Sequence, residues 1–527
     1  FFSPAPPTPL DRSMLGRRPE LLRAAAAAPT ASHHPCGPRP SAAARAHPVV
    51  VVARDSNSSR SRRSLAASSS AGSDAAAATL SSPASDPTGP VRVVAVVGDG
   101  RSHFGFPEVL GRERATWREV MRHLSDLLRW TDARYDLCVI DAPDGEDARL
   151  AAAQLVLVVG APDSARALVN LQVPPGCSVV AFADDASDSF DLRLRGDDLL
   201  FGDLFGGLAR AEAALAESVR ELWRRKNFDD LLFLLLLLID ACVEPVPRVS
   251  MTAGGGGGSL GLIWCMLTNC REEVVACVTD PECKAALDCL TGCGLNDQVC
   301  SYQCIVSHES PLFERFSQCV LQRHNCMKNA AEVPAEPVVE PMAEFRGQPL
   351  THEAAEEILI GWLGKERHSW KVVTGQNAAY DIFPNQHQIF YRGKRKRSFW
   401  YDPVFQARKF DGELVWRRRH YRVRRGKVPG TFYFSVLDNG VISNEFWRIA
   451  DAADDLTWTV LYYAGAASAA GQAYTGAVFA TRDGQWPAES EFARVEAAHA
   501  KCGIKLWELF EVENYPCPDA PLGLLDD

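Results

Sequence analysis

The sequence lacks any apolar stretch long enough to cross a lipid bilayer as a helix, which takes roughly 20 residues. The richest run, residues 231–239, is about half that length and is interpreted as the end of a buried helix or as an interfacial segment. The 527-residue chain also lacks an excess of positive charge, because its formal net charge is −10. That balance argues against general nucleic-acid binding. The length and the 46% hydrophobic content fit two or three domains.

Acidic residues are scarce at the start of the chain, where Asp11, Glu20 and Asp55 stand alone before Asp74. Alanine, serine, proline and arginine dominate there instead, a composition typical of an organellar transit peptide. We therefore interpret residues 1–90 as a transit peptide and disordered segment. A plain disordered tail stays open as the alternative.

A nucleotide-binding phosphate loop is missing from the next region, residues 91–250. Its first apolar run ends in Gly98-Asp99-Gly100, but His103 stands where a dinucleotide fingerprint has its third glycine, and no Gly-Lys-Ser/Thr follows. Alternating strand and helix patterns still indicate a folded unit. The strand patterns cover residues 91–97, 135–141, 155–160 and 178–183, and the helical patterns cover residues 115–130 and 204–226. The sequence therefore predicts an α/β accessory domain without nucleotide chemistry.

Cysteine is abundant in one short region. Ten of the sixteen cysteines lie there: Cys265, Cys270, Cys277, Cys283, Cys289, Cys293, Cys300, Cys304, Cys319 and Cys326. Cysteines four residues apart share one face of a helix. Two such pairs flank a polar link at residues 294–297. This spacing predicts a disulfide-rich helical domain over residues 259–332, a segment too small to build a stable core without covalent links.

An antiparallel helical hairpin would pair Cys293 with Cys300 and Cys289 with Cys304. The same reasoning pairs Cys270 with Cys277, Cys265 with Cys283 and Cys319 with Cys326, although connectivity does not follow from spacing alone. A zinc site is the alternative, but most gaps exceed the two to four residues usual for zinc, and the only nearby histidines are His308 and His324. Disulfides are favoured, they indicate an oxidising compartment, and no metal is expected.

Aromatic-rich short runs follow a Pro/Glu/Val-rich linker at residues 333–345. They cover residues 370–374, 388–391, 399–405, 413–416, 431–437, 458–463 and 473–480. Regularly spaced short strands of this kind predict a small antiparallel barrel over residues 346–520, with a closing helix at residues 489–500. A barrel of that size can hold one slender apolar ligand.

The order of these motifs resembles the violaxanthin de-epoxidase family, and more narrowly its de-epoxidase-related members in plants. The cysteine-rich helical segment comes first, followed by WKVVTGQNAAYDIF at residues 370–383, VLYYAG at 460–465 and YTGAV at 474–478. The resemblance covers about residues 260–520 and implies a lipocalin. The fold class expected is therefore a multidomain α+β protein, with an α/β accessory domain, a disulfide-rich helical domain and a lipocalin-like antiparallel β-barrel.

The function that the resemblance implies is xanthophyll-cycle chemistry, in which the barrel binds a carotenoid and removes its epoxide oxygen. Ascorbate would be the reductant, with no metal. The expected partners are a xanthophyll or another slender apolar ligand, peripheral thylakoid lipid and a second copy of the chain, with no nucleic acid. The expected location is the chloroplast, in the thylakoid lumen or associated with the thylakoid, and the stroma stays open.

The resemblance also implies roles for individual residues. Asp381 matches the first aspartate of the family's acidic motif, and the positions expected to bind substrate are Tyr380, Gln386, Tyr463 and Tyr474. The family's proposed catalytic aspartate corresponds to Asn444, and asparagine cannot protonate an epoxide oxygen.

Strand geometry predicts which carboxyl group can act as the proton donor in the barrel. Glu445 follows Asn444 directly, so it would point away from the barrel interior if Asn444 points inward. Asp381 is therefore predicted to be the remaining catalytic acid. In the alternative interpretation, Asp381 is a loop aspartate that caps a turn. Two family histidines credited with a pH response correspond to Gln388 and Tyr391, while the adjacent His387 should face the opposite side of its strand.

Positive charge is concentrated in residues 392–427, which hold fourteen Lys or Arg against three acids. Interleaved aromatics make this stretch similar to a nucleic-acid surface, but a solvated outer face of the barrel is the preferred interpretation. Two further functions stay open for the whole chain. One is a non-catalytic carotenoid- or lipid-binding lipocalin, and the other is a redox-sensing assembly factor that uses the cysteine domain.

Overall fold

The computed structural model describes residues 89–182, 190–193, 207–252, 259–361, 369–394 and 398–525. Almost all of the expected transit segment, residues 1–90, lies outside these ranges. Within them, every helix is too short or too polar to cross a membrane.

The first folded unit is a five-stranded sheet with strand order β2-β1-β3-β4-β5. Its strands are β1 (Val91–Val97), β2 (Tyr135–Asp141), β3 (Leu155–Val159), β4 (Ser178–Phe182) and β5 (Phe190–Arg193). Its helices are α1 (Trp117–Thr131), α2 (Ala148–Ala151), α3 (Asp163–Gln172), α4 (Gly207–Arg224), α5 (Phe228–Cys242) and α6 (Pro247–Thr252). The first four strands are parallel and β5 is antiparallel. The predicted α/β sheet is confirmed.

The leucine-rich run predicted from residues 231–239 forms the centre of α5. Asn227 caps this helix, because its side-chain oxygen accepts a hydrogen bond from the Asp229 backbone N–H at 2.9 Å. Every residue of the run is buried in the core of the first unit, together with the inner faces of α1 and the sheet. The prediction of a buried helix is therefore confirmed, although the run lies at the centre of the helix and not at its end, and the interfacial alternative is wrong.

The cysteine-rich unit consists of short helices joined by tight corners. They are α7 (Ser259–Asn269), α8 (Arg271–Thr279), α9 (Pro281–Gly292), α10 (Gln298–Ser307) and α11 (Pro311–Ser317), which continues into a wider turn at Gln318–Arg323. Asp280 and Asp297 cap α9 and α10 by accepting hydrogen bonds from the backbone N–H of Cys283 and Cys300, at 2.8 and 2.9 Å. The caps therefore fix helix starts beside disulfide cysteines.

All ten cysteines of this unit form disulfides, and two of the five predicted pairings are confirmed. The bonds are Cys265–Cys326, Cys270–Cys319, Cys277–Cys283, Cys289–Cys304 and Cys293–Cys300. The predicted pairs Cys265–Cys283, Cys270–Cys277 and Cys319–Cys326 are wrong. The physical reason is that the end of the unit folds back on its beginning, so the Cα atoms of Cys265 and Cys326 lie 5.5 Å apart.

The second sheet closes into an antiparallel barrel of eight strands. In ring order these are β8 (Trp370–Gly375), β9 (His387–Arg392), β10 (Phe399–Arg408), β12 (Tyr421–Arg425), β13 (Thr431–Asp438), β14 (Val441–Ala452), β15 (Trp458–Ala467) and β16 (Gln472–Thr481). Strand β16 pairs with β8, which closes the ring. The lipocalin-like barrel is confirmed.

Smaller elements surround the barrel. They are the hairpin β6 (Glu344–Phe345) and β7 (Gln348–Pro349), the helix α12 (His352–Ile360), the strand β11 (Leu414–Arg418), the helix α13 (Phe492–Lys501) and the strand β17 (Phe510–Glu511). The predicted strand at residues 413–416 exists as β11, but it pairs with β10 outside the ring. The expected closing helix is α13, preceded by a short turn at Glu489–Glu491.

Candidate functional site

The barrel encloses a cavity of about 80 Å³, which we call the barrel cavity. It is lined by Asn377, Tyr380, Asp381, Gln386, Gln388, Tyr401, Pro403, Phe405, Arg419, Tyr421, Asp438, Glu445, Trp447, Tyr463, Tyr474 and Val478. This volume is smaller than the roughly 300 Å³ at which small-molecule sites usually begin. An organic ring therefore enters only if the wall moves. The lining combines aromatic rings with carboxyl groups, a pairing suited to acid chemistry on an apolar substrate.

Asp381 lies in the loop between β8 and β9 and is 3% exposed. The backbone N–H of Asn377 donates to its Oδ2 at 2.8 Å, so the carboxyl also caps this loop. Gly375 leaves the space that the carboxyl fills, since a Cβ there would lie 2.2 Å from the carboxyl carbon. Burial raises the pKa of Asp381 to about 7, against the opposing hydrogen bonds from Asn377 and Gln386. This carboxyl can therefore hold a proton near neutral pH.

Glu445 is the second acid of the barrel cavity and lies on β14, 8% exposed. Its carboxyl accepts hydrogen bonds from Trp447 Nε1 at 2.6 Å, from the Tyr474 hydroxyl at 2.9 Å and from the Tyr421 hydroxyl at 3.4 Å. Burial raises the pKa of Glu445, while these three donors oppose that rise. Gly465 on β15 is required here, because a Cβ would lie 2.8 Å from Glu445 Cγ.

The structure reverses the expected facing of Asn444 and Glu445. Asn444 is exposed on the outside of β14, whereas Glu445 and Trp447 are buried two residues apart and both line the barrel cavity. Alternate residues of a strand face opposite sides, so only one of the two neighbours can point inward. The expectation that Asn444 points into the barrel is therefore wrong. Glu445 supplies a carboxyl to this part of the cavity.

The disulfide unit and the barrel together match one known family. Residues 263–514 match the model of the VDE lipocalin domain. This region belongs to the violaxanthin de-epoxidase lipocalin family. The match begins just before the first disulfide cysteine and ends just beyond β17, so it includes both Asp381 and Glu445.

Curated relatives point to the same family. The chloroplastic violaxanthin de-epoxidase of Nicotiana tabacum is 23% identical over 271 residues, covering 49% of this chain and 52% of that protein. The corresponding protein of Arabidopsis thaliana is 24% identical over 135 residues, covering 25% of this chain and 26% of that protein. The chain thus spans about half the length of the tobacco relative.

A solved structure with partial similarity is lobster apocrustacyanin A1. It is 13% identical, with a TM-score of 0.22, and the match covers 35% of this chain and 94% of that one. A score this low adds nothing to the fold assignment made from the strand pairing.

The four expected substrate-binding residues of the VDE lipocalin domain, Tyr380, Gln386, Tyr463 and Tyr474, all line the barrel cavity. Gln386 also braces the Asp381 loop, because its Nε2 donates to the backbone carbonyl oxygens of Tyr380 and Phe383 at 2.8 and 3.1 Å. Tyr380 lies at the rim and is 37% exposed. The structure therefore brings these residues together with Asp381, and their binding role stays a prediction.

The disulfide unit forms part of the rim of the barrel. Tyr302 on α10 packs against Tyr380, with ring centroids 4.8 Å apart. Arg419 at the same rim pairs with Asp438 at 2.6 Å and with Glu309, just beyond α10, at 3.2 Å. The hairpin fastened by Cys289–Cys304 and Cys293–Cys300 therefore holds a side chain against the entrance.

Histidine is absent from the described lining of the barrel cavity. Gln388 points inward, and the adjacent His387 lies outside the lining with its Nδ1 2.6 Å from the Ser369 hydroxyl. This facing confirms the prediction for β9. Burial lowers the pKa of His387 to about 4, with a smaller contribution from Lys371. Titration near neutral pH in the cavity therefore depends on carboxyl groups.

Sequence reasoning missed two contributors to the site. Glu445 was assigned to the wrong face, although its spacing of two residues from Trp447 puts it in phase with an inward aromatic. Tyr421 was overlooked because β12 reads Tyr-Arg-Val-Arg-Arg, in which arginines outnumber apolar residues. Only Tyr421 and Val423 of that strand need to face the interior.

Proposed function

We propose that the VDE lipocalin domain of this chain removes the epoxide oxygen from a xanthophyll, with ascorbate as the reductant. The observation that carries this proposal is the presence of two buried carboxyl groups with raised pKa values, Asp381 and Glu445, in an aromatic-lined barrel cavity. The family of residues 263–514 and the names of its chloroplastic relatives support the substrate and the reductant.

The reaction needs two protons and two electrons. Protonation of the epoxide oxygen weakens one C–O bond, two electrons from ascorbate replace the two C–O bonds by a carbon–carbon double bond, and the oxygen leaves as water. Ascorbic acid loses two electrons and two protons to become dehydroascorbic acid; when the ascorbate anion reacts it releases one proton and the solvent supplies the other, so the overall reaction balances. The protein must place a proton donor at the epoxide and keep bulk water out of the apolar cavity.

Asp381 is the proposed donor of the first proton, since its raised pKa of about 7 leaves it protonated under mildly acidic conditions. Tyr474 and Glu445 form a hydrogen-bonded pair at 2.9 Å and supply a second protonatable group on the opposite side of the lining. Aromatic side chains such as Tyr401 and Trp447 form the apolar wall against which a carotenoid end ring packs. Entry of that ring requires movement at the rim, where Tyr380 is the exposed aromatic.

The proposed compartment is the chloroplast, in the thylakoid lumen or at the thylakoid surface. The relatives carry the description chloroplastic, and five disulfides persist only where the surroundings are oxidising. Protease treatment of intact and opened thylakoids tests this location. A luminal protein is digested only after opening, whereas digestion in intact thylakoids places the protein on their stroma-facing surface.

Pigment chromatography tests the proposed function. The full chain with its disulfides formed is incubated with violaxanthin in galactolipid and ascorbate at mildly acidic pH. Product with one or both epoxides removed is expected, with a loss of about 10²–10⁴-fold for Asp381→Asn. The exposed Asn444→Ala is the control and should retain the rate. Equal rates for Asp381→Asn and the native chain would remove Asp381 from the mechanism.

A non-catalytic carotenoid or lipid carrier on the same scaffold is the second candidate. Asn444 favours it, since the resemblance places the family's proposed catalytic aspartate at this position and asparagine cannot donate that proton. Violaxanthin that stays intact while pigment co-purifies with the folded chain would establish the carrier and exclude the enzyme.

A further inference from the structure

A buried histidine–carboxylate pair joins the first unit to the segment that follows α13. His123 lies on α1 and Glu508 lies in the short turn before β17, and each residue is 5% exposed. His123 Nε2 and Glu508 Oε1 are 2.6 Å apart. An ionised carboxylate only accepts hydrogen bonds, so Nε2 is the ring atom that donates here. The contact therefore fixes both the position and the tautomer of the imidazole.

Aromatic rings enclose this pair. The His123 ring stacks on Phe228 with the centroids 5.0 Å apart, and it meets Trp507 edge-on at 5.5 Å. Phe228 and Trp507 also meet edge-on, at 5.3 Å, and both are buried. Packing from two sides holds the imidazole in place, and the exclusion of water strengthens its hydrogen bond to Glu508.

Asp229, at the start of α5, is a second acid close to Glu508. Burial raises the pKa of Asp229 to about 7, the nearby Arg248 opposes that rise, and the charge of Glu508 adds to it. At the mildly acidic pH proposed for turnover, Asp229 therefore holds its proton and does not repel the Glu508 carboxylate. The pairing of Glu508 with His123 is undisturbed under those conditions.

The second oxygen of Glu508 reaches the loop that carries Asp381. Gln376, directly after β8, donates from its Nε2 to Glu508 Oε2 at 3.0 Å. Gln376 is buried, and its Oε1 has no hydrogen-bond donor within the part of the chain that the structure describes. The position of this amide therefore depends on Glu508. The Lys505 backbone N–H donates to Glu508 Oε1 at 2.6 Å, so the carboxylate is held from three sides.

Gln376 directly precedes the residue that holds the proposed acid. The Asn377 backbone N–H donates to Asp381 Oδ2 at 2.8 Å, and the Asp381 backbone N–H donates to the Asn377 carbonyl oxygen at 2.7 Å. A shift of Gln376 therefore moves the backbone that orients the Asp381 carboxyl. We call His123, Glu508 and Gln376 the buried polar chain, because these three side chains connect α1 of the first unit to the lining of the barrel cavity.

We propose that His123 of the first unit is a positioning residue for Asp381 and acts through the buried polar chain. The inference rests on the proposed function, since the orientation of Asp381 affects a rate only if this carboxyl donates the proton. His123 itself contacts neither the barrel cavity nor Asp381. The first unit lies outside residues 263–514, and the buried polar chain gives it a part in the reaction of the barrel.

Steady-state kinetics of the full, disulfide-bonded chain with violaxanthin and ascorbate test this role. Gln376→Leu interrupts the buried polar chain but keeps the His123–Glu508 pair. It should lower kcat about tenfold and leave KM for violaxanthin unchanged, because the acid is displaced while the cavity wall stays in place. His123→Leu should have the same effect. His123→Gln places an amide N–H close to the position of Nε2 and should restore most of the native kcat.

Arg112→Gln is the matched control. Arg112 of the first unit pairs with Glu496 of α13, each N···O distance being 2.7 Å, so it joins the first unit to the same part of the chain without touching the buried polar chain. This exposed ion pair contributes little to stability, and the variant should keep the native kcat. A loss of kcat in Arg112→Gln as large as in Gln376→Leu would show a general loosening between the units and would overturn the proposal.

Urea unfolding provides a measurement that needs no turnover. Burial raises the pKa of Asp381, so a loosened loop that admits water should lower this pKa again. The effect of Asp381→Asn on the free energy of unfolding should therefore change less between pH 4 and pH 8 in the Gln376→Leu background than in the native background. In the Arg112→Gln background it should change as it does in the native chain.

The two measurements separate this proposal from the proposed function. If the native chain forms no de-epoxidised pigment, the proposed function fails, and the unfolding comparison decides whether the buried polar chain positions Asp381. An Asp381→Asn effect with the same pH dependence in the Gln376→Leu and native backgrounds then overturns the proposal. If the native chain is active, native kcat values in both Gln376→Leu and His123→Leu overturn it. Gln376→Leu carries the test if His123→Leu leaves the buried Glu508 charge unpaired and does not fold.

Discussion

At the scale of single residues, the candidate site depends on which side chains face the barrel interior. The motif around Asp381 led to a buried acid, and the structure places it in the cavity. Glu445 was assigned to the wrong face because Asn444 was taken as the inward residue. The bulge of β14 lies beyond Ile449, so the two-residue period from Glu445 to Trp447 is intact and gives the correct facing.

The raised pKa of Asp381 predicts a pH-dependent effect of Asp381→Asn on stability. The native carboxyl binds its proton more tightly than the unfolded one, so its stabilising contribution is complete below about pH 4 and is lost as pH rises through about 7. We therefore compare the free energy of unfolding of Asp381→Asn with that of the native chain at each pH. The variant's value minus the native value should be higher at pH 8 than at pH 4, by on the order of 3 kcal/mol.

Urea unfolding at the two pH values measures this difference. The exposed Glu413→Gln is the control, and its effect should change little between them. If the free energies of unfolding of the native chain and Asp381→Asn differ by the same amount at both pH values, Asp381 has an ordinary pKa.

At the scale of elements, apolar runs identified six of the eight barrel strands but missed β12 and β14. Cysteine spacing predicted the helical character of the disulfide unit, but long-range disulfide pairing escaped prediction. Local hairpin reasoning found Cys289–Cys304 and Cys293–Cys300, whose partners are 15 and 7 residues apart. It failed for Cys265 and Cys270, whose partners lie 61 and 49 residues along the chain. The entropic cost of closing a loop grows slowly with length, so nearness in sequence does not decide pairing.

The observed connectivity predicts unequal contributions to stability. In the loop-entropy description, Cys265–Cys326 closes 61 residues and should contribute about 4 kcal/mol, whereas Cys293–Cys300 closes 7 residues and should contribute about 2 kcal/mol. Paired serine substitutions at each bond, compared by urea unfolding, measure this difference.

Mass spectrometry of unreduced peptides provides the independent check on that connectivity. The peptide that contains Cys265 should be linked to the one that contains Cys326. A link from Cys265 to Cys283 would restore the local pairing and refute the arrangement described here.

The cationic stretch at residues 392–427 also belongs to this scale. Arg425 and Arg392 both pair with Glu356 of α12, and Arg418 pairs with the fully buried Asp402. Arg422 instead lies exposed on the outer face of β12. Several of these arginines therefore fasten outer elements to the barrel, an outcome that charge counting does not predict.

At the scale of the whole molecule, the first unit packs against the C-terminal segment that follows the strands of the barrel. Trp507 belongs to the core of the first unit, and Arg112 forms a two-pronged ion pair with Glu496 of α13, each N···O distance being 2.7 Å. Arg225, just after α4, donates to the Leu295 carbonyl oxygen of the disulfide unit at 3.0 Å. The Arg112–Glu496 pair spans 384 positions and the Arg225–Leu295 contact spans 70, so no local pattern in the sequence predicts how these units pack together.

The central claim is that buried carboxyl groups make the barrel an acid catalyst for epoxide removal. The most direct test is the rate of violaxanthin de-epoxidation by the full chain, with ascorbate, measured from pH 4 to pH 9. The account predicts a rate that is high at acidic pH and falls as pH rises through about 7, the pKa of Asp381. Absence of product at every pH, with pigment still bound to the folded chain, would contradict it.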